Sequence, residues 1–187
     1  MPATAISDSA TQWEPPLSPA DSLYEIIDGE RIELPPMSIY STFITTNLAT
    51  TLGTFAKQHQ LGRVAIEGLL KMEGVPGRNR RPDFAFVSYE RWAKDRPIPS
   101  KGNAWEVNPD LAVEVVSPND MVEELMQKTV EYFTAGARQV WIISPATKWV
   151  HIYRSLTEIQ VFHEQDELKS EELFPGWSLP AAQLFDV

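Results

Sequence analysis

The sequence contains no cysteine, and only three of its 187 residues are histidine. Without cysteine there can be no disulfide, no thiolate ligand and no thiol nucleophile, which fits a reducing compartment. His59, His151 and His163 share no motif spacing with the acids, so they are read as structural or exposed rather than as zinc ligands. Long apolar runs are missing too. None approaches the ~20 residues that span a bilayer, so no membrane helix is expected. There is no phosphate-binding glycine loop and no dinucleotide fingerprint, which leaves no support for a nucleotide cofactor. Positive charge is scarce: 16 Lys and Arg face 26 Asp and Glu, a net charge of -10 that opposes a polyanionic partner.

That charge is unevenly spread. Residues 78 to 101 hold seven basic side chains, among them Arg78, Arg80 and Arg81, against three acids, leaving -14 for the rest of the chain. Such a segment is either a solvated loop or a surface that touches backbone phosphates, with Arg78, Arg80 and Arg81 as the candidates. The first 20 residues, rich in Pro, Ser, Thr and Asp, have neither the basic nor the apolar region of a signal peptide and read as a flexible arm. Residues 21 to 187 then form a single domain, expected to be soluble and cytoplasmic.

What is present reads as α/β. SLYEIIDGERIEL, residues 22 to 34, predicts a hairpin turning at Asp28-Gly29. Phe43, Ile44, Asn47, Leu48, Thr51, Leu52 and Phe55 recur at helical spacing between Ser41 and His59. A strand is expected within Arg63 to Glu73 and another from Asp83 to Val87. An irregular excursion over 88 to 109 is anchored by Trp92 or Trp105. Leu111 to Val116 is the clearest strand. Asn119 or Asp120 would cap a helix running to about Ala135, with Leu125, Thr129, Tyr132 and Phe133 near its buried face. Strands at 139–144, 149–153 and 159–163 follow, with Trp141 and Trp149 expected in the core, and the C-terminal segment is helix-poor. Strand, helix and strand in succession imply a β-α-β unit with part of the sheet buried on both faces.

Within DLAVEVVSPND, Leu111, Val113 and Val115 face one side and Ala112, Glu114 and Val116 the other. Both sets are otherwise apolar, so Glu114 points at a helix or a cleft. A buried carboxylate is costly unless paired, protonated or bound to a cation. Asp83, at the start of a neighbouring strand, is one candidate neighbour. The following helix adds Glu124 and Lys128, one turn apart. Two carboxylates suit Mg²⁺, which prefers oxygen ligands. A lysine beside them would orient or deprotonate a water, or hold transition-state charge. A plain salt bridge from Lys128 to Glu124 or Glu114 uses the same residues. Glu67 is a further acid for the cleft, and Tyr132, one turn beyond Lys128, either lines it or packs.

RRPDFAFVS, PDLAVEVVSPND, EEL, the lysine at 128, EYFTAGARQVWIISP, VHIY and LFPGWSLPAAQLF together resemble the signature of the Uma2 family, within the PD-(D/E)XK nuclease superfamily. The resemblance runs from Leu23 to Phe185 and is most specific over 81–88 and 110–145. It implies a restriction-endonuclease-like fold: a mixed central sheet flanked by helices, preceded by the N-terminal hairpin. It also implies Mg²⁺, with Mn²⁺ as a substitute, held by Asp83 and Glu114, and a homodimer acting on DNA. Val116 stands where the standard motif has its lysine, and the resemblance assigns that role to Lys128. Glu30, in Asp28-Gly29-Glu30, matches a family acid near the site, or is a surface hairpin acid. Ser41 stands where the family often has histidine. The function expected is metal-dependent hydrolysis of DNA phosphodiesters. The alternatives are a nuclease fold that binds nucleic acid or protein with little or no catalysis, and a structural protein braced by Glu114 and Lys128.

Overall fold

The computed structural model describes residues 22–100, 104–118 and 120–186. The N-terminal arm, Lys101 and the Asn119 cap lie outside the described residues. A hairpin opens the described chain, β1 (Tyr24–Ile27) and β2 (Glu30–Glu33), followed by α1 (Ile39–Gln58). Then come β3 (Gly62–Ile66), β4 (Leu70–Lys71), β5 (Asn79–Arg80), β6 (Phe84–Ser88) and β7 (Leu111–Val115). Helix α2 (Val122–Thr134) leads into β8 (Gln139–Ser144), β9 (Trp149–Tyr153) and β10 (Ile159–Phe162). Two short strands, β11 (Glu167–Lys169) and β12 (Ser178–Pro180), and the single turn α3 (Ala181–Leu184) end it.

Six strands form the central sheet in the order β10-β9-β8-β7-β6-β3. Only β7 and β8 run parallel, and α2 is the crossover between them; every other neighbouring pair is antiparallel. This is the mixed sheet flanked by helices that the sequence predicts. A second sheet, β2-β1-β5-β4, brings the N-terminal hairpin beside the central one. No helix among the described residues is long and apolar enough to cross a membrane.

The alternation in β7 sets the layers. Leu111, Val113 and Val115 enter a core with Ile44, Leu48 and Leu52 of α1 and with Phe174 and Trp177 of the C-terminal segment. Ala112 turns to the opposite core, with Tyr132 of α2 and with Val140, Ile142 and Trp92. Glu114 shares the α2 side of β7. Trp92 and Trp105 anchor the irregular excursion edge to face, with ring centroids 5.4 Å apart.

Several expectations are corrected. The strand sought over 63–73 is two strands in two sheets, and Glu67, just after the first, has a φ of 46° that no strand residue adopts. Phe43 is exposed, because the buried face of α1 is narrower than its apolar pattern. Trp149, the first residue of β9, is 41% exposed rather than in the core. Asp120 does not cap α2. Its carboxylate instead accepts from Ser117 N at 2.7 Å and from Ser117 Oγ at 2.9 Å, closing the turn after β7.

Close approach of backbone makes Gly62 irreplaceable. A Cβ there would lie 2.2 Å from Val87 O and 2.6 Å from the Phe86 ring. Gly62→Ala must therefore push β3 off β6, and a stability loss of about 1–3 kcal/mol is expected in urea unfolding. A variant as stable as the parent would show that the two strands separate without penalty.

Candidate active site

Asp83 immediately precedes β6, and Phe84 is paired with Val113 of β7. The next step of that antiparallel register brings Asp83 to the Glu114 end of the sheet. Asp83 Oδ2 accepts from Val115 N at 2.6 Å, and its other oxygen takes no hydrogen bond among the described residues.

Glu114 is only 5% exposed. From α2, Tyr132 donates its hydroxyl to Glu114 Oε1 at 2.6 Å and Lys128 Nζ lies 3.1 Å from Oε2. Lys128 and Tyr132 are one helical turn apart and so reach the same carboxylate. Lys128 makes its second ion pair with Glu25 of β1, at 3.6 Å. The ammonium turns to Glu114 and Glu25 rather than to Glu124, which is exposed on α2.

Behind this group runs a chain of alternating charge. Glu25 accepts from Arg80 Nη1 at 2.7 Å and from Arg81 N at 2.9 Å. Arg80 Nε donates to Glu131 at 2.6 Å, and Arg78 Nε donates to the same carboxylate at 2.9 Å. Pairing of β1 with β5, Ile26 opposite Asn79, sets Glu25 beside Arg80. Arg80 is buried with its guanidinium between two buried carboxylates, while Arg78 bridges the buried Glu131 and the exposed Asp28, 3.1 Å away. Of the three arginines considered for phosphate contact, Arg81 lines the cavity; it donates to the carbonyls of Tyr24 and Glu67.

The cavity holds about 130 Å³, and its walls include Asp83, Glu114, Lys128, Glu67, Arg81 and Ser41. Glu30 lies outside it, exposed on β2. Ser41 is buried at the cavity wall, with its hydroxyl 2.8 Å from that of Ser38. Val116 lines a neighbouring apolar cleft instead. Glu25 is the residue that sequence reading missed. Its signal was the same as that of Glu114, an acid flanked by apolar residues in a strand, Leu23-Tyr24-Glu25-Ile26-Ile27.

Burial, and then the charge of Glu114, push the Asp83 carboxyl up to about 7, against the pull of the Val115 amide. Burial likewise raises Glu114, opposed by Lys128 and Tyr132. For Lys128, burial alone would lower the pKa, but Glu114 and Glu25 outweigh it and hold the ammonium above its ordinary value. The Tyr132 phenol is raised as well, by burial and then by Glu114. Lys128 is therefore a fixed cation at neutral pH, suited to orienting an anion and unsuited to removing a proton.

Glu114, which is buried, raises the half-buried Asp83 beside it, so a cation between them would relieve the site, and Asp83 keeps an oxygen without a hydrogen bond among the described residues. Among the described residues no group of three or more His, Cys, Asp or Glu stands ready to hold a metal. A two-carboxylate donor set fits Mg²⁺, which keeps waters and substrate oxygens as its remaining ligands rather than an all-protein cage.

Residues 8–182 match the family described as "Uma2: Putative restriction endonuclease". The chain belongs to the Uma2 family. Uma2 membership carries association with the PD-(D/E)XK superfamily, and the sheet observed here is of that restriction-endonuclease-like kind. Among solved structures, the chain is similar to a putative nuclease belonging to DUF820 from Anabaena variabilis ATCC 29413. The TM-score is 0.73 at 19% identity, over 87% of this chain and 89% of that one, a likeness of fold. No curated protein matches the sequence.

Proposed function

We propose that this Uma2 protein hydrolyses phosphodiester bonds of DNA with the help of a divalent cation, at the cavity of Asp83, Glu114 and Lys128. One observation carries the reading. Lys128 Nζ is 3.1 Å from Glu114 in the cavity that Asp83 also lines, where it would serve as the lysine absent at Val116. Asp83 and Glu114 would hold Mg²⁺, or Mn²⁺ in its place. A cation bound there would lower the pKa of a coordinated water and neutralise charge on the phosphoryl group. The chain's own part is positioning. Lys128, kept charged by Glu114 and Glu25, holds a phosphate oxygen; Tyr132 fixes Glu114; Val115 N fixes Asp83. Water adds to phosphorus, the bond to the leaving sugar oxygen breaks, and a phosphomonoester and a sugar hydroxyl result.

The test is a cleavage screen over duplex, single-stranded and branched DNA with Mg²⁺, Mn²⁺ or EDTA. Products should form with either cation and vanish with EDTA. Intact DNA in every arm would overturn the proposal. A second reading, a nuclease fold that binds nucleic acid with little turnover, is favoured by the engagement of both Glu114 oxygens by Lys128 and Tyr132. On that reading, DNA is retained by the protein and stays uncut.

A further inference from the structure

Beside the acidic cavity lies a second cleft of about 560 Å³, at the carboxyl ends of the parallel strands β7 and β8. Ser38, Ser41 and Ser117 line both, so the two spaces share a wall. Their chemistry is opposite. Six ionisable side chains line the cavity, whereas no residue lining the cleft carries a charge. Tyr40 gives the cleft an aromatic wall, Val116, Pro118 and Pro145 give it apolar ones, and Ser144 and Thr147 add hydroxyls. The volume is within the roughly 300–1,000 Å³ common for small-molecule sites. The end of a parallel strand pair is also where open α/β sheets bind ligands.

A nucleotide divides in the same way. Its phosphate is anionic; its base is flat, neutral, apolar on its faces and hydrogen-bonding at its edge. We propose that the cleft receives an unpaired nucleobase next to the phosphate held by the acidic cavity, so that the substrate is single-stranded or locally opened DNA. The inference rests on the phosphodiesterase reading for the position of that phosphate. A base within a duplex has both faces stacked and its pairing edge occupied, so it must leave the helix to enter such a space. An aromatic wall is the means by which single strands are held without sequence preference. Arg80 is turned inward and Arg78 is already paired with Glu131 and Asp28, which leaves less positive charge for gripping a duplex by its backbone and gives stacking a larger share of recognition.

The experiment uses the full chain and a single-stranded oligonucleotide carrying 2-aminopurine, with Ca²⁺ in place of Mg²⁺ to suppress turnover. Saturable quenching of the fluorescent base is expected, with at least tenfold weaker binding of the same base in a duplex. Ala146 is exposed on the rim, so Ala146→Trp fills the cleft without touching the core. That variant should bind the single strand at least tenfold more weakly at an unchanged thermal midpoint, and Ala146→Ser should bind as the parent does. Equal affinity for duplex and single strand, or parental binding by Ala146→Trp, would overturn the inference. Cleavage with Mg²⁺ separates the two proposals. Binding with these properties but no cleavage leaves the cleft assignment standing and removes the hydrolase. Cleavage of duplex at the single-strand rate, unaffected by Ala146→Trp, does the reverse.

Discussion

Replacing Asp83 with asparagine should lower metal-dependent cleavage by at least about 10²-fold, the loss that follows removal of one group organising transition-state charge, while making the metal-free protein more stable at neutral pH. The two effects have one cause. The carboxyl titrates at about 7 in the folded chain against an ordinary 3.8, because burial and Glu114 disfavour its charge. A folded chain that holds this proton more tightly than the unfolded chain is most stable below the ordinary value. It loses that stability as pH rises toward 7, and the loss is complete above. Asparagine carries no charge at any pH, and its carbonyl oxygen can still accept from Val115 N. In EDTA, the thermal midpoint of Asp83→Asn should therefore exceed that of the parent by a margin that widens from pH 4 to pH 7 and then levels off. Glu114 is raised in the same direction and stays in both proteins, so it does not mask the difference. Activity lost with stability gained is what a site held against its own stability gives. A parallel pair of melting curves would show that Asp83 is not held at a cost, and undiminished cleavage would remove it from the site.

Arg80→Met should be the most destabilising single change near the site, at about 3–5 kcal/mol, the cost of leaving buried charge without its partner. Arg80 is 4% exposed and is the member shared by Glu25 and Glu131. Its loss takes from each buried acid its closest cation, leaving Lys128 at 3.6 Å for Glu25 and Arg78 for Glu131. Urea unfolding would measure the effect. Adding Glu25→Gln and Glu131→Gln to Arg80→Met should recover part of it, because the stranded charges go with them. If Arg80→Met unfolds at the parental midpoint, the arginine is solvated and its ion pairs contribute nothing.

The two halves of the site were unequally legible in the sequence. Glu114 was visible because a strand with apolar residues on both faces has no place for an acid, and β7 is such a strand. Glu25 gives the same signal, but in a short hairpin strand whose partner β2 is polar, where nothing local shows which side is covered. Its burial depends on β5 pairing with β1, a contact no local pattern encodes. Arg78 and Arg80 read as solvated for a related reason: their acids, Glu25 and Glu131, lie far away in the chain. Helical spacing put forward Lys128 but allowed Glu124 as its partner as well as Glu114, and only family resemblance gave it the role of the lysine missing at Val116. The layered sheet followed from periodicity, yet periodicity could not tell that Trp149, at the start of β9, is exposed while Tyr153 on the same face packs against the core. Asp120 shows a competition between two local bonds, in which the turn at Ser117 took the side chain that a helix cap would have used.

The charge chain from Arg78 through Glu131, Arg80, Glu25 and Lys128 to Glu114 also bears on the order of folding. Its members come from β1, the β5 region, β7 and α2, segments joined by no local contact. Contacts of such separation form only after the intervening loops have closed. The central strands and α1 can assemble a core without it, but Glu25 and Lys128 meet only when the small sheet has docked and α2 has crossed over. A nascent chain therefore carries Glu25 and Arg80 before Lys128 and Glu131, the partners that complete their pairing, are synthesised. The cavity belongs to the finished fold alone.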